Sequence, residues 1–232
     1  MSRPTLILLA LLAAGCAETS LAPASKPEAL RQKAAACRVE GKHAEAEALL
    51  AQAIRLQPTD TSDQRASAAD LRRELASLRM SADDLAQAER LYFEALALLE
   101  SSPHGAEAAI INLRTQLAGL CYRQARFDEA ARFYRSVLAL EIATLGATHP
   151  DPLGTMSILG GLELKRGRFA EAEALFRTQL AGVQKLHGAE KRESAAVLDN
   201  LAEVLERAGQ AAPAAKLREE ARRIRHKLCD EC

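Results

Sequence analysis

Gly167-Arg168-Phe169-Ala170-Glu171-Ala172-Glu173-Ala174-Leu175-Phe176 reads as a tight turn running into a helix, because a glycine precedes a run of strong helix formers. The chain repeats this stretch. Forty-two residues earlier stands Ala125-Arg126-Phe127-Asp128-Glu129-Ala130-Ala131-Arg132-Phe133-Tyr134, and one further step back gives Asp83-Asp84-Leu85-Ala86-Gln87-Ala88-Glu89-Arg90-Leu91-Tyr92. A third step reaches Gly41-Lys42-His43-Ala44-Glu45-Ala46-Glu47-Ala48-Leu49-Leu50. Forward by the same step, Gly209 to Leu217 is a faded copy in which Pro213 replaces the recurrent Glu. Five copies at a constant step need no gap, so the chain is an array rather than one or two globular domains.

Aligned at that step, the columns explain their own packing. After each turn a second helix carries Ala46, Ala88, Ala130, Ala172 and Ala214. Four residues on come Leu50, Tyr92, Tyr134, Phe176 and Arg218, then three further Ala53, Ala95, Val137, Gln179 and Ala221. Steps of four and three lie on one helical stripe. Before each turn a first helix carries Ala34, Ala76, Ala118, Gly160 and Ala202, small in all five copies, as close helix contact requires. Beside them stand Lys33, Leu75, Leu117, Leu159 and Leu201.

Composition agrees. Hydrophobic residues make up 48% but aromatics only 3%, and Trp is absent, so the core must be built from Ala and Leu in close-packed helices. No run alternates with period two, which excludes strands. Thirty-one basic residues balance 31 acidic ones, so the footprint of a general nucleic-acid binder is missing.

The small, aromatic, small spacing resembles the tetratricopeptide repeat, and Pro58 stands where that motif ends. The usual unit is about 34 residues. A step of 42, the segment Leu145-Gly146-Ala147-Thr148-His149-Pro150 and Asn200-Leu201-Ala202 are more similar to the longer units of kinesin light chains. The resemblance spans residues 28–228 and implies an all-α fold, a right-handed superhelical solenoid of about five helix pairs. Thr59 to Asp63 reads as a loop ending in N-cap residues, and Ser101 to Gly105 breaks the periodicity between units. The polar last helix, with Arg222, Arg223, Arg225 and Lys227, suits a terminal cap.

Residues 1–15 read as a targeting segment. Arg3 is a thin basic region and Leu6 to Ala14 an apolar run, shorter than the roughly 20 residues of a membrane span. The run closes on Leu12-Ala13-Ala14-Gly15-Cys16. This is similar to bacterial lipoprotein signals, which implies lipidation at Cys16 and, with Ala17 rather than Asp following, an outer-membrane destination facing the periplasm. Ala13 departs from the Leu more usual in such signals. An ordinary secretory signal cut near Ala14 is the alternative. Residues 16–27, with Pro23, Ser25 and Pro27, read as a flexible tether.

Candidate chemistry is sparse. Cys37 and Cys121 share a column two units apart, too far to pair, and read as small core residues. Cys229-Asp230-Glu231-Cys232 (residues 229–232) is open to three readings: half a zinc site, a redox pair or a local disulfide. A zinc site needs two more ligands, and although His226 is close no second Cys pair exists; a redox pair belongs at a helix start rather than after a helix, so a Cys229–Cys232 disulfide is favoured over a thiol or metal enzyme. The five histidines are scattered, and no phosphate loop or nucleophile elbow stands out. No metal or cofactor is expected. Arg123, Lys165 and Arg207 place one basic residue per unit at the end of a first helix, and Gln116 and Asn200 share another column. In tetratricopeptide arrays first helices line the groove that holds protein partners, so these five residues are the candidate partner-binding set. The other reading of the three cations is that they complement helix C-terminal dipoles. The expected function is a non-catalytic scaffold, tied by lipid to the bacterial envelope and presenting its groove to an envelope protein.

Overall fold

A computed structural model describes residues 25–102 and 105–230. Among them lie ten helices and no strand: α1 (Lys26–Val39), α2 (His43–Leu56), α3 (Ser62–Ser81), α4 (Leu85–Glu100), α5 (Glu107–Arg123), α6 (Phe127–Leu145), α7 (Pro150–Lys165), α8 (Phe169–His187), α9 (Arg192–Arg207) and α10 (Ala211–Asp230). Each helix packs on its neighbours in the chain, and the first helices α7 and α9 also touch. The expected all-α solenoid of five helix pairs is what the chain forms.

The turn that organises the sequence has one geometry in all five units. Its pivot residue is left-handed: Gly41 at φ 74°, Asp83 at 61°, Ala125 at 58°, Gly167 at 74° and Gly209 at 80°. The next residue donates its N–H back five places to the first helix: Lys42 to the Cys37 carbonyl, Asp84 to Arg79, Arg126 to Cys121, Arg168 to Glu163 and Gln210 to Leu205, each at 2.8–2.9 Å. These bonds satisfy carbonyls that a helix end would otherwise leave unpaired. A non-glycine residue in this region costs about 1–2 kcal/mol, which Asp83 and Ala125 sustain because the flanking helices fix the turn.

The small columns form the seams. Ala46, Ala88, Ala130, Ala172 and Ala214 are completely buried, as are Ala76, Ala118 and Ala202, while Ala34 is nearly so. Gly160 completes the series because the Phe176 ring lies against it: an added Cβ would meet that ring at 2.8–3.0 Å. Tyr92, Leu50 and Phe176 are buried between helices, Tyr134 is half-buried, and Arg218 is exposed on the terminal helix. Lys33, in the outermost unit, is also exposed. Thr61 caps α3 as the loop composition suggests: its hydroxyl accepts from the Gln64 N–H at 3.2 Å and the Gln64 side chain accepts from the Thr61 N–H at 3.1 Å.

Two boundaries differ from the sequence reading. Helix α1 begins at Lys26, so Lys26 and Pro27 are helical rather than tether, with the proline in the first turn where its missing N–H costs nothing. Helix α10 runs to Asp230, so Cys229 stands on its last turn and not beyond it. Cys121 is buried and Cys37 half-buried, and neither is bonded to another cysteine. No helix among the described residues is long and apolar enough to cross a membrane.

Candidate partner-binding surface

The first helices present an open face with hollows between them. Asp70 and Arg73 of α3 border one hollow with Ala108 and Asn112 of α5. Asn112 and Thr115 border the next, with Glu141, Thr144 and Leu145 at the end of α6 and Asp151 at the start of α7. Gly119 and Gly161, one repeat apart, lie on the same helices, and a Cβ on either would meet nothing within 4 Å. A glycine inside a helix costs about 1 kcal/mol relative to alanine. No packing within the chain requires it here.

The expected binding residues sit on these helices, and two of them already have partners. Arg123 donates from Nη2 to Asp83 Oδ1 at 3.0 Å and from Nη1 to the Met80 carbonyl at 3.4 Å, bridging to the preceding unit. Lys165 donates to the Tyr122 hydroxyl at 3.1 Å and lies 4.6 Å and 4.5 Å above the Tyr122 and Phe127 rings. Those rings meet edge to face at 5.4 Å. Arg123 and Lys165 thus link successive units from an exposed position, a role the spacing alone does not reveal. Arg207 is exposed in the last turn of α9. Gln116 on α5 and Asn200 on α9 are half-buried, and between them in the same column Ile158 of α7 is 50% exposed. The amide column is therefore interrupted by an apolar surface.

Cys16 and Cys232 lie outside the described residues. Cys229 is exposed. Among the described residues no three His, Cys, Asp or Glu side chains are grouped to hold a metal ion.

Buried charge, which the column pattern does not single out, concentrates in the middle units. Glu163 is fully buried: its Oε2 accepts from Arg166 Nη1 at 2.6 Å and its Oε1 accepts from Arg135. Arg166 also donates to Asp128 in the preceding turn. One unit back, Arg126 donates to both oxygens of Glu89 at 2.8 Å and to Glu129. The Arg126 bond holds the Glu129 carboxyl below the usual carboxylate range, and the two carboxylates raise the Arg126 guanidinium above its ordinary value. Burial raises the Cys121 thiol, which keeps it protonated and inert. Glu141 is 5% exposed, its pKa raised by burial and by Asp151 against the opposing effects of Thr155 and His149. The signal for both glutamates is present as departures from the units on either side: Glu163 from Cys121 and Leu205, Glu141 from Leu99 and Val183.

Comparison with known proteins places this geometry. Two models of the tetratricopeptide repeat match, over residues 111–151 and 151–227. A kinesin-light-chain-like protein from Podosopora anserina with nearly identical TPR-like repeats is 23% identical, at a TM-score of 0.68 over 90% of this chain and all of that one. BtubC (BKLC) from P. vanneervenii is 20% identical at 0.52, over 88% of this chain and 93% of that one. MamA from Desulfovibrio magneticus RS-1 is 12% identical at 0.59, over 88% and 97%. At such identities the likeness is one of fold. No curated protein matches the chain. Residues 111–227 are tetratricopeptide repeats, and the whole array has the solenoid fold of such proteins.

Proposed function

We propose that the chain is a non-catalytic scaffold, anchored by lipid at Cys16 to the outer membrane of a bacterial envelope and facing the periplasm, whose first-helix groove holds an envelope protein. The observation that carries this reading is the groove itself. Its hollows, its exposed Ile158 and its unneeded helical glycines have no use inside the fold. Tetratricopeptide arrays bind protein partners, and no family of enzymes matches. The anchor rests on the resemblance of Leu12 to Cys16 to lipoprotein signals. A single acyl chain binds a membrane only marginally, whereas several anchor it stably.

Two experiments test the reading. Cys16→Ser is expected to move the protein from the membrane fraction to the soluble periplasmic fraction; retention in the membrane would sink the anchor. Replacing Arg123, Lys165 and Arg207 together with Glu is expected to weaken crosslinked capture of the envelope partner by about tenfold or more, roughly 1.4 kcal/mol or above. An exposed ion pair or cation–π pair contributes only about 1 kcal/mol to folding, so thermal melting should show a folded array. Undiminished capture by the folded triple variant would move the site off this face.

A further inference from the structure

The hollow between α5, α6 and α7 departs from the pattern of the array at two coupled places. At the 42-residue step the Glu141 column reads Gln57, Leu99, Glu141, Val183 and Arg225, and Leu99 and Val183 are core residues. The Thr155 column reads Leu71, Leu113, Thr155 and Val197, all buried. Only between the third and fourth units do both apolar positions turn polar, with Thr155 opposing the effect of burial on the Glu141 carboxyl. The carboxyl remains incompletely satisfied, since Glu141 Oε2 is buried with no hydrogen-bond partner. A buried carboxylate without a full set of partners is costly, and two apolar residues would pack without that cost.

Glu141 lines a cavity of about 640 Å³ on the first-helix face. Glu107 and Asp151 are also on its wall, Asn112, Thr115 and Thr144 supply polar groups, and among the described residues no Lys or Arg lines it. Arg114, the nearest cation along α5, is turned to Glu100 at 2.9 Å. His149 caps α7, its Nδ1 accepting from the Asp151 N–H at 3.2 Å. The wall is thus acidic and polar with one buried carboxyl oxygen unmatched, and the acids are not grouped to share a metal ion. The space is in the range of ligand-binding cavities.

We propose that this hollow receives a basic side chain, Lys or Arg, of the partner polypeptide that lies in the groove. The ammonium or guanidinium pairs with the Glu141 carboxyl on the wall of the hollow, and Glu107 and Asp151 favour its approach. The site rests on the scaffold reading and gives it a partner chemistry: a segment with a fixed basic residue.

The test is a selection of displayed peptides against the immobilised full chain, repeated on Glu141→Gln. Enriched peptides are expected to share a Lys or Arg at one position. Replacing it by norleucine or citrulline, or the receptor by Glu141→Gln, should weaken binding about tenfold. The double variant Glu141→Leu with Thr155→Val restores the apolar identities of neighbouring units; it should fold and bind without preference for a basic residue. At neutral pH Glu141→Gln should melt no lower than the wild type. Because the folded pKa of Glu141 is raised, with Asp151 and His149 as its charged neighbours, the wild type should lose stability relative to this variant as pH rises from the ordinary carboxylate range through the raised value. Enriched peptides lacking a shared basic residue, or bound equally by Glu141→Gln, would overturn the site while leaving the scaffold intact. An absence of any enriched peptide would overturn both. Saturation by putrescine as tightly as by the peptides would identify a small-cation pocket and overturn the polypeptide assignment.

Discussion

Glu163→Ala is expected to lower the free energy of unfolding by about 3–5 kcal/mol, a large part of what a domain has. The Glu163 side chain is 0% exposed and that of Arg166 only 7%. Removing the carboxylate leaves the Arg166 guanidinium buried beside Asp128 alone, whose side chain is 83% exposed and holds it weakly. The Arg166 Nε already lacks a partner, so the loss falls on a guanidinium that is incompletely bonded to begin with. The magnitude comes from stranding a charge, not from the intrinsic worth of the pair. Chemical denaturation of Glu163→Leu combined with Arg166→Ala separates the two. That pair reproduces Leu205 and Ala208 of the last unit and should lie within about 1 kcal/mol of the wild type, or above it. A double variant as unstable as Glu163→Ala would mean that the ion cluster itself holds the third and fourth units together.

Phe176→Ala is expected to cost about 3–5 kcal/mol, because the buried ring fills the space that Gly160 leaves open. The coupling between the two positions is sharper than the single effect. Gly160→Ala alone gains about 1 kcal/mol of helix propensity but forces a Cβ into the ring at 2.8 Å, and overpacking of this kind costs about 1–3 kcal/mol. In a Phe176→Leu background the same change reproduces the Ala34 and Leu50 pairing of the first unit. There it should stabilise. A double-mutant cycle in which Gly160→Ala has the same effect in both backgrounds would contradict the packing described at this seam.

The seams and turns are legible in the sequence because they repeat. Ala46 to Ala214 and Ala34 to Ala202 have to be small wherever one helix crosses another, and burial agrees column by column. Asp83 and Ala125 share the left-handed turn of Gly41 and Gly167, although neither residue alone would suggest it; the alignment at 42 residues does. What is not legible is each departure's partner. Glu163 reaches Arg135, 28 residues back in another helix, and the angle between packed helices, not the spacing, decides that pairing. Glu141 and Thr155 stand out in the sequence only as polar residues where the adjacent units carry Leu99 and Val183, and Leu113 and Val197. Spacing marks Arg123 and Lys165 as ligands for an external partner, yet each is already bonded to the preceding unit, through Asp83 and Tyr122. Any binding role they have is therefore shared with a structural one, which the charge-reversal experiment reads as reduced capture by a folded array.

A first-helix face that holds an envelope protein must touch it in the living cell. Site-specific photocrosslinking in intact cells reads this without a purified partner, with the crosslinker placed at Ile158 on α7 and, as a control, at Arg132 on the second helix α6, both exposed. One discrete polypeptide adduct is expected from Ile158, absent from Arg132 and abolished when Arg123, Lys165 and Arg207 are replaced by Glu. Adducts of equal yield from both positions, or none from Ile158, would show that the partner does not lie on this face.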